Sequence, residues 1–437
     1  MAIRPVRRLS RPVRGFSRPG PLGVLSHPQY RRYSLAALLA FTAFALQMFL
    51  RGWLVLDLTH SPFMVSLVPA LVMLPMLVFT LVGGELADRF NRQRLVLLGD
   101  AAAAAWYTGL AVLILTGVVQ AWHVLALTAA QGVTGALAGP ARQALIAELV
   151  PSEEQRHAIG LSPMMFNVSQ IIGPVIGGAI VVMMSMGAAS VVAVVLIIPA
   201  LPMYALLKPV TAVTVKRGGS MLLNVKNGIR YVAAHPTLRW LLLGGAVIVL
   251  TVNSWGALFP SLAEEVLNRG AVGLATIQMA VGIGAVLGTL VSVLLSNRLG
   301  DGPLEVGSGF VFAGLVLAFA FSTVFPLSVV LAALAALAGT TFFVTNMTAM
   351  QMTADPEYRG RVVSVRFVMF GLNPLGMLAM GAAAESLGVQ WALGIFAVLG
   401  ALLFMGVQLA FRPRVMPAVS APVLTKPPVP APQGGSE

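Results

Sequence analysis

Residues 83–94 read GGELADRFNRQR, a tight cluster of opposite charges between two apolar runs. Asp88 sits beside Arg89 and one helical turn before Arg92. A carboxylate in a short turn can accept hydrogen bonds from free N–H groups at a helix N-terminus, where its charge also suits the dipole. Elsewhere, side chains able to do chemistry are few and lie inside apolar runs. Arg51 follows Gln47 by one helical turn. It either faces a cavity, where it would bind an anionic group or neutralise a carboxylate, or reaches back to a membrane surface. Asp100 and Glu148 are the carboxylates for proton coupling if they are desolvated. The competing reading makes them partners of Arg89, Arg92 and Arg142. Asn253, Gln278, Asn346 and Asn373 are isolated polar residues in the second half. Each lines a substrate cavity or bonds one helix to another.

Several chemistries are excluded. There are no cysteines, so no disulfide or thiolate is available. The 5 His are scattered without ligand spacing, which leaves no metal site and calls for no cofactor. Neither a Walker loop nor a Gly-x-Ser-x-Gly elbow is present, which argues against an ATP-driven pump or an enzyme.

The elements that must position these residues are membrane helices. The 437-residue chain is 58% hydrophobic and 10% charged, with mean hydropathy +0.88. A soluble protein carries about 25% charged residues. Apolar runs recur at about the 20 residues a bilayer requires. The expected fold is an all-α polytopic membrane protein with twelve spans in two groups of six. The spans fall near 33–56, 62–86, 95–117, 122–147, 158–182 and 187–207, then 239–262, 271–295, 303–325, 327–351, 362–384 and 390–411. Residues 1–32 form a basic tail, 208–238 a linker and 412–437 a Pro-rich disordered tail. This gives an N-terminal bundle over 33–207 and a C-terminal bundle over 239–411.

The net charge of +13 would suit nucleic acid, but its distribution points to lipid headgroups. With the N-terminus inside, loops 87–94, 148–157, 208–238, 296–302 and 352–361 carry the basic residues. Of 28 Lys and Arg, Arg269 alone falls in an outer loop. Arg-rich short loops stay cytoplasmic, so both termini are expected inside. Within the linker, Val225, Ile229 and Val232 share a helix face opposite Lys226 and Arg230. That segment is either an amphipathic helix on the inner surface or a plain linker.

Traces of an internal repeat support two related halves. Pro151 with Arg156, and Pro356 with Arg361, give the same Pro-x4-Arg spacing after the fourth and tenth spans. Each is followed by a Pro/Gly-interrupted run, IIGPVIGG and LNPLGMLAMG.

The pattern Gly84-x-Leu86-Ala87-Asp88-Arg89-x-x-Arg92 resembles the signature loop between the second and third helices of the major facilitator superfamily. WLVLDLTHSPFMVSLV (53–68), GPARQALIAELVP (139–151) and NGIRYVAAHPTLRWLL (227–242) resemble its enterobactin-exporter and multidrug-exporter branch. The resemblance implies alternating access of two six-helix bundles, most simply as a monomer. It also implies a small-molecule substrate, protons as coupling ion and a bacterial-type cytoplasmic membrane. In that family the matching Asp latches onto the start of the eleventh helix, here Arg361 and Val362, and the matching Arg92 joins the same cluster. The family's second glycine is Asn91 here, which tolerates a left-handed turn. Gly173, Pro174, Gly177 and Gly178 resemble the Gly-Pro element of the fifth helix in antiporters. An Arg common in the fourth helix is replaced by Thr128. Export of an amphipathic or siderophore-like molecule is the first expectation. Import of an organic anion on Arg51, or a non-transporting receptor or scaffold, are the alternatives.

Overall fold

The computed structural model describes residues 23–208 and 221–411. The expected tails over 1–22 and 412–437, and residues 209–220 of the expected linker, lie outside the described residues. Helix α1 is Pro28–Thr59, five residues longer at its start than the apolar run alone suggests. Pro28 lies in the first helical turn, where its missing N–H is not needed. Val24, just before it, is buried, and residues 28–32 belong to the helix rather than to a tail. Helix α2 is Pro62–Arg89, with Ser61 Oγ accepting from the Met64 N–H at 3.2 Å.

The remaining first-half helices are α3 (Arg92–Leu115), α4 (Ala121–Glu148), α5 (Gln155–Met183) and α6 (Met186–Ala205). Helix α7 is Met221–Ala234 and α8 is Pro236–Val266. Then come α9 (Gly270–Leu299), α10 (Asp301–Phe321), α11 (Phe325–Thr353), α12 (Arg359–Phe370), α13 (Asn373–Leu387) and α14 (Val389–Phe411).

Three expectations are corrected. The charged stretch 83–94 is mostly helix, because α2 continues to Arg89 and α3 begins at Arg92. Phe90 and Asn91 alone make the turn. Asn91 is extended (φ −62°, ψ 116°) rather than left-handed. It serves instead as a cap, accepting from the Arg94 N–H at 3.0 Å. The expected eleventh span is broken at residues 371 and 372 into α12 and α13. Eleven helices are therefore long and apolar enough to span a bilayer among the described residues.

The helices turn large apolar side chains outward. Leu98, Met183, Leu402 and Leu409 are 65–82% exposed. Such a surface fits hydrocarbon, and helices satisfy their own backbone there. Inside the first half, α1 packs on α5 and α6, and α4 on α2 and α3. Inside the second, α11 packs on α9 and α10, and α14 on α10 and α13. The halves meet through α5 on α9 and α2 on α13. Glycine permits two of these approaches. A Cβ at Gly173 would lie 2.7 Å from the Leu46 nitrogen of α1. One at Gly178 would lie 2.4 Å from the Ala275 Cβ of α9.

Helix α7 is neither a plain linker nor only a surface helix. Val232 is buried while Ile229 is 48% exposed, so the expected apolar face is split. Tyr231 stacks on Tyr358 with ring centroids 4.2 Å apart, and its hydroxyl meets Asp355 Oδ2 at 2.9 Å. At Gly228 the helix approaches the Arg361 carbonyl of α12.

A central cavity and two buried charge clusters

A cavity of about 330 Å³ lies where α1, α5, α8 and α9 converge, within the size range of small-molecule sites. Its apolar wall includes Met48, Phe166 and Phe259, and its amides are Asn167, Gln170 and Gln278. Among the described residues, no charged side chain lines it. Gln278 was expected there. Asn167 and Gln170 were not, although they stand three apart on α5 and lead into Pro174, which also lines the wall. That helical spacing was the signal available. Gln170 Oε1 is buried and has no hydrogen-bond partner among the described residues.

The other expected cavity residues lie elsewhere. Asn373 is buried between α2 and α13, close to Met73 and 3.4 Å from the Ser254 hydroxyl. Asn253 is half-buried in a 3-10 stretch of α8 and does not line the cavity. Gln47 and Arg51 are 1% and 0% exposed. Their helix contributes Ala45 and Met48 to the wall, but neither of these two side chains lines it. Arg51 does not reach a membrane surface; its guanidinium lies 5.6 Å from the Tyr107 ring centroid. A central Arg costs roughly 2.5–3.5 kcal/mol on insertion scales, and a cation–π contact offsets about 2 kcal/mol when desolvated. Thr128, where the resembled family carries Arg, spends its hydroxyl on the Val124 carbonyl at 2.6 Å.

Near the end of the molecule that carries Arg89, ion pairs tie the first half to itself. Arg92 meets Glu148 at 2.6 Å and also donates to the Ala87 carbonyl. Asp88 is exposed, 4.0 Å from Arg92. It does not meet Arg361, whose guanidinium rests on the Tyr358 ring at 4.7 Å. The expected latch is thus not formed in this conformation. Among the described residues, the hydrogen bonds that join the halves run from the Ser61 hydroxyl and the Phe63 N–H to Glu385 of α13, and from the Asn373 amide of α13 to the Met73 sulfur of α2. The halves are fastened at the opposite end.

Deeper in the first half, Arg142 of α4 meets Asp100 of α3 at 2.6 Å and the Tyr204 hydroxyl at 2.7 Å. Both members of this pair are at most 13% exposed. Asp100 and Glu148 are therefore both held by arginines, the arrangement that competes with proton coupling.

The whole-chain comparison fits this architecture. Residues 19–433 match the family model described as "transmembrane secretion effector". The chain belongs to this family of major facilitator transporters. It is 27% identical over 378 residues to the multidrug efflux pump Tap of Mycolicibacterium fortuitum, covering 83% of this chain and 90% of that protein. It is 23% identical to the staphyloferrin A transporter of Staphylococcus aureus, covering 77% and 85%. The crystal structure of a bacterial homologue of the lysosomal transporter Spinster superposes with a TM-score of 0.69 at 16% identity, covering 88% of this chain and 98% of that one. The superfamily read from the signature loop and the exporter branch read from residues 53–68, 139–151 and 227–242 are borne out, and the protein is a multi-pass membrane transporter rather than an enzyme.

The transporter's second half holds a charge cluster that sequence reading missed. Glu305 of α10 is 0% exposed, Asn346 of α11 0% and Arg366 of α12 7%. Asn346 Nδ2 donates to Glu305 Oε1 at 3.2 Å and to the Leu241 carbonyl at 3.0 Å. Arg366 Nη1 donates to Asn346 Oδ1 at 2.6 Å, and Nη2 to the Phe343 carbonyl at 2.7 Å. Asn346 was expected in the substrate cavity. It is instead the bridge between a buried acid and a buried base.

Proposed function

We propose that the protein is a proton-coupled exporter of amphipathic or siderophore-like small molecules, working by alternating access. The observation that carries this reading is the cavity. It is apolar, lined by three amides and free of charge, a lining suited to an apolar molecule with a few polar groups. The likeness to a multidrug efflux pump and to a siderophore transporter, each over more than three quarters of the chain, supports the same substrate class. Import of an organic anion on Arg51 is less favoured, because that side chain does not line the cavity.

The Arg89 end is taken as the cytoplasmic end, because the short loops there hold the Arg residues. The halves then gape inward in this conformation, and the free Asp88 is the released form of a latch that closes on the start of α12 in the outward-open state. Both termini lie inside, in a cytoplasmic membrane of bacterial type. Residues 23–207 and 236–411 act as two rocking bundles in a monomer.

The test is transport by the purified protein in liposomes with an internal pH dye, using cationic, neutral and anionic amphiphiles. Proton movement driven by cationic or neutral compounds, and weakened in Gln170→Leu and Gln278→Leu, is the expected result. Transport without proton movement overturns the coupling. Response to anions alone overturns the substrate class.

A further inference from the structure

The polar groups of the central cavity are unspent. Asn167, Gln170 and Gln278 are half-buried, and their side chains make no hydrogen bond among the described residues. Of their amide nitrogens and oxygens, only Gln170 Oε1 is covered; the rest are accessible. A carboxamide donates through its N–H groups and accepts through its C=O, and a half-turn exchanges the two ends. Pro174 adds an acceptor. It lines the same wall one turn on from Gln170, and it has no N–H to give to the Gln170 carbonyl, its partner in a regular helix.

The amides come from both halves. Asn167 and Gln170 share one face of α5, three residues apart, and Gln278 belongs to α9. A Cβ at Gly282 would collide with Ile171, and one at Gly178 with Ala275. The two contacts advance in opposite directions, so α5 and α9 are antiparallel and Gln278 stands level with residue 175. At about 1.5 Å per residue, that is roughly 8 Å along α5 from Gln170 and 12 Å from Asn167. A polar strip of this length crosses the seam between the bundles, with Met48, Phe166 and Phe259 as its apolar surround.

The lining narrows the chemistry of what it holds. An ion carried into a cavity without a counter-charge gives up its hydration uncompensated. An ester or ether accepts from the amide N–H groups but leaves the amide oxygens and the Gln170 carbonyl without a donor. An uncharged group that donates and accepts at once satisfies both.

We propose that the substrate is an uncharged amphiphile with two carboxamide-type groups, one held by Asn167 and Gln170 on the first half and one by Gln278 on the second. This rests on the exporter reading above and narrows its substrate class. Such a molecule is bound by both bundles at once, and rocking that parts the two sets of amides releases it.

The test is calorimetric titration of the full chain in lipid nanodiscs, with empty nanodiscs as the blank. The probes are octanediamide, dimethyl octanedioate, octanedioate and the corresponding diamine. Octanediamide should bind about tenfold or more tighter than the diester, the range of hydrogen-bonding groups left unpaired, and tighter than either ion. Gln170→Leu and Gln278→Leu, each checked for an unchanged size-exclusion profile, should bring diamide and diester to within about threefold. Gln278→Glu, which places an acid in the same wall, should turn the preference to the diamine. Equal binding of diamide and diester by the unmodified protein overturns the assignment, as does tightest binding of either ion. A diamide preference that survives in both Leu variants, or no diamide binding, overturns it too. Transport of other amphiphiles in the liposome assay then shows that the exporter reading stands and that only the carboxamide preference has failed. Diamide binding by a protein that moves no compound separates the two the other way.

Discussion

In the first half, Arg142 of α4 grips Asp100 of α3 directly at 2.6 Å; in the second, Asn346 of α11 bonds both Arg366 of α12 and Glu305 of α10. The acids stand at matching offsets in the two halves. Pro151 and Pro356 stand 205 residues apart, and so do Asp100 and Glu305. The bases do not. Arg142 sits on a long continuous helix, whereas Arg366 sits on a half-helix. A direct pair on two fixed helices is a brace. A bridged pair with one member on a separate half-helix ties three helices through one amide.

The comparison breaks most visibly by removing the brace. Arg142→Leu leaves Asp100 buried without its partner and should cost about 3–5 kcal/mol, read as a large drop in thermal unfolding temperature in detergent. Adding Asp100→Leu should restore most of it, since apolar replacement of a buried pair is often neutral. The next effect sharpens the contrast. Glu305→Gln should lower the unfolding temperature by less than Arg142→Leu does, because Gln keeps an oxygen that can accept from Asn346. Asp88→Asn should lower transport several-fold with no change in unfolding temperature, because Asp88 touches only Arg92, at 4.0 Å, in this conformation. The smallest effect belongs to Arg89, paired with Glu85 on the exposed face of α2. Arg89→Ala should change stability by less than about 0.5 kcal/mol, measured by the same unfolding scan.

Much of the fold was legible because bilayer thickness imposes length on apolar runs and charge collects at their ends. GELADRF announced both a helix junction and a family. The break in the eleventh span was legible only as LNPLG, a Pro and Gly in an apolar run, and the same kind of signal at GPVIGG leaves α5 unbroken. Whether such a run breaks depends on what packs against it. Glu305 was passed over for a related reason. It lies five residues into α10 and looks like part of a cytoplasmic rim. Its depth is set by α8, α11 and α14 closing over it, which a one-dimensional pattern does not contain. Asn346 illustrates the converse: its burial was anticipated, but its partners are 41 and 20 residues away. Arg51 was the ambiguity that structure resolves simply, since a fully covered guanidinium on Tyr107 is not reaching for water.

The docking of α7 on α12 has a mechanical consequence. Because Tyr231, Gly228 and Val232 fasten α7 to the second half, the leash between the bundles runs from Lys208 to Met221, 13 residue steps, rather than to Pro236. At about 3.3–3.6 Å per step, its full reach is roughly 45 Å. That length is an upper stop on how far Lys208 and Met221 can part. Any molecule that peels α7 away as an intact helix of 14 residues would lengthen this reach by roughly half, at about 1.5 Å per helical residue, and let the two bundles swing through a wider arc.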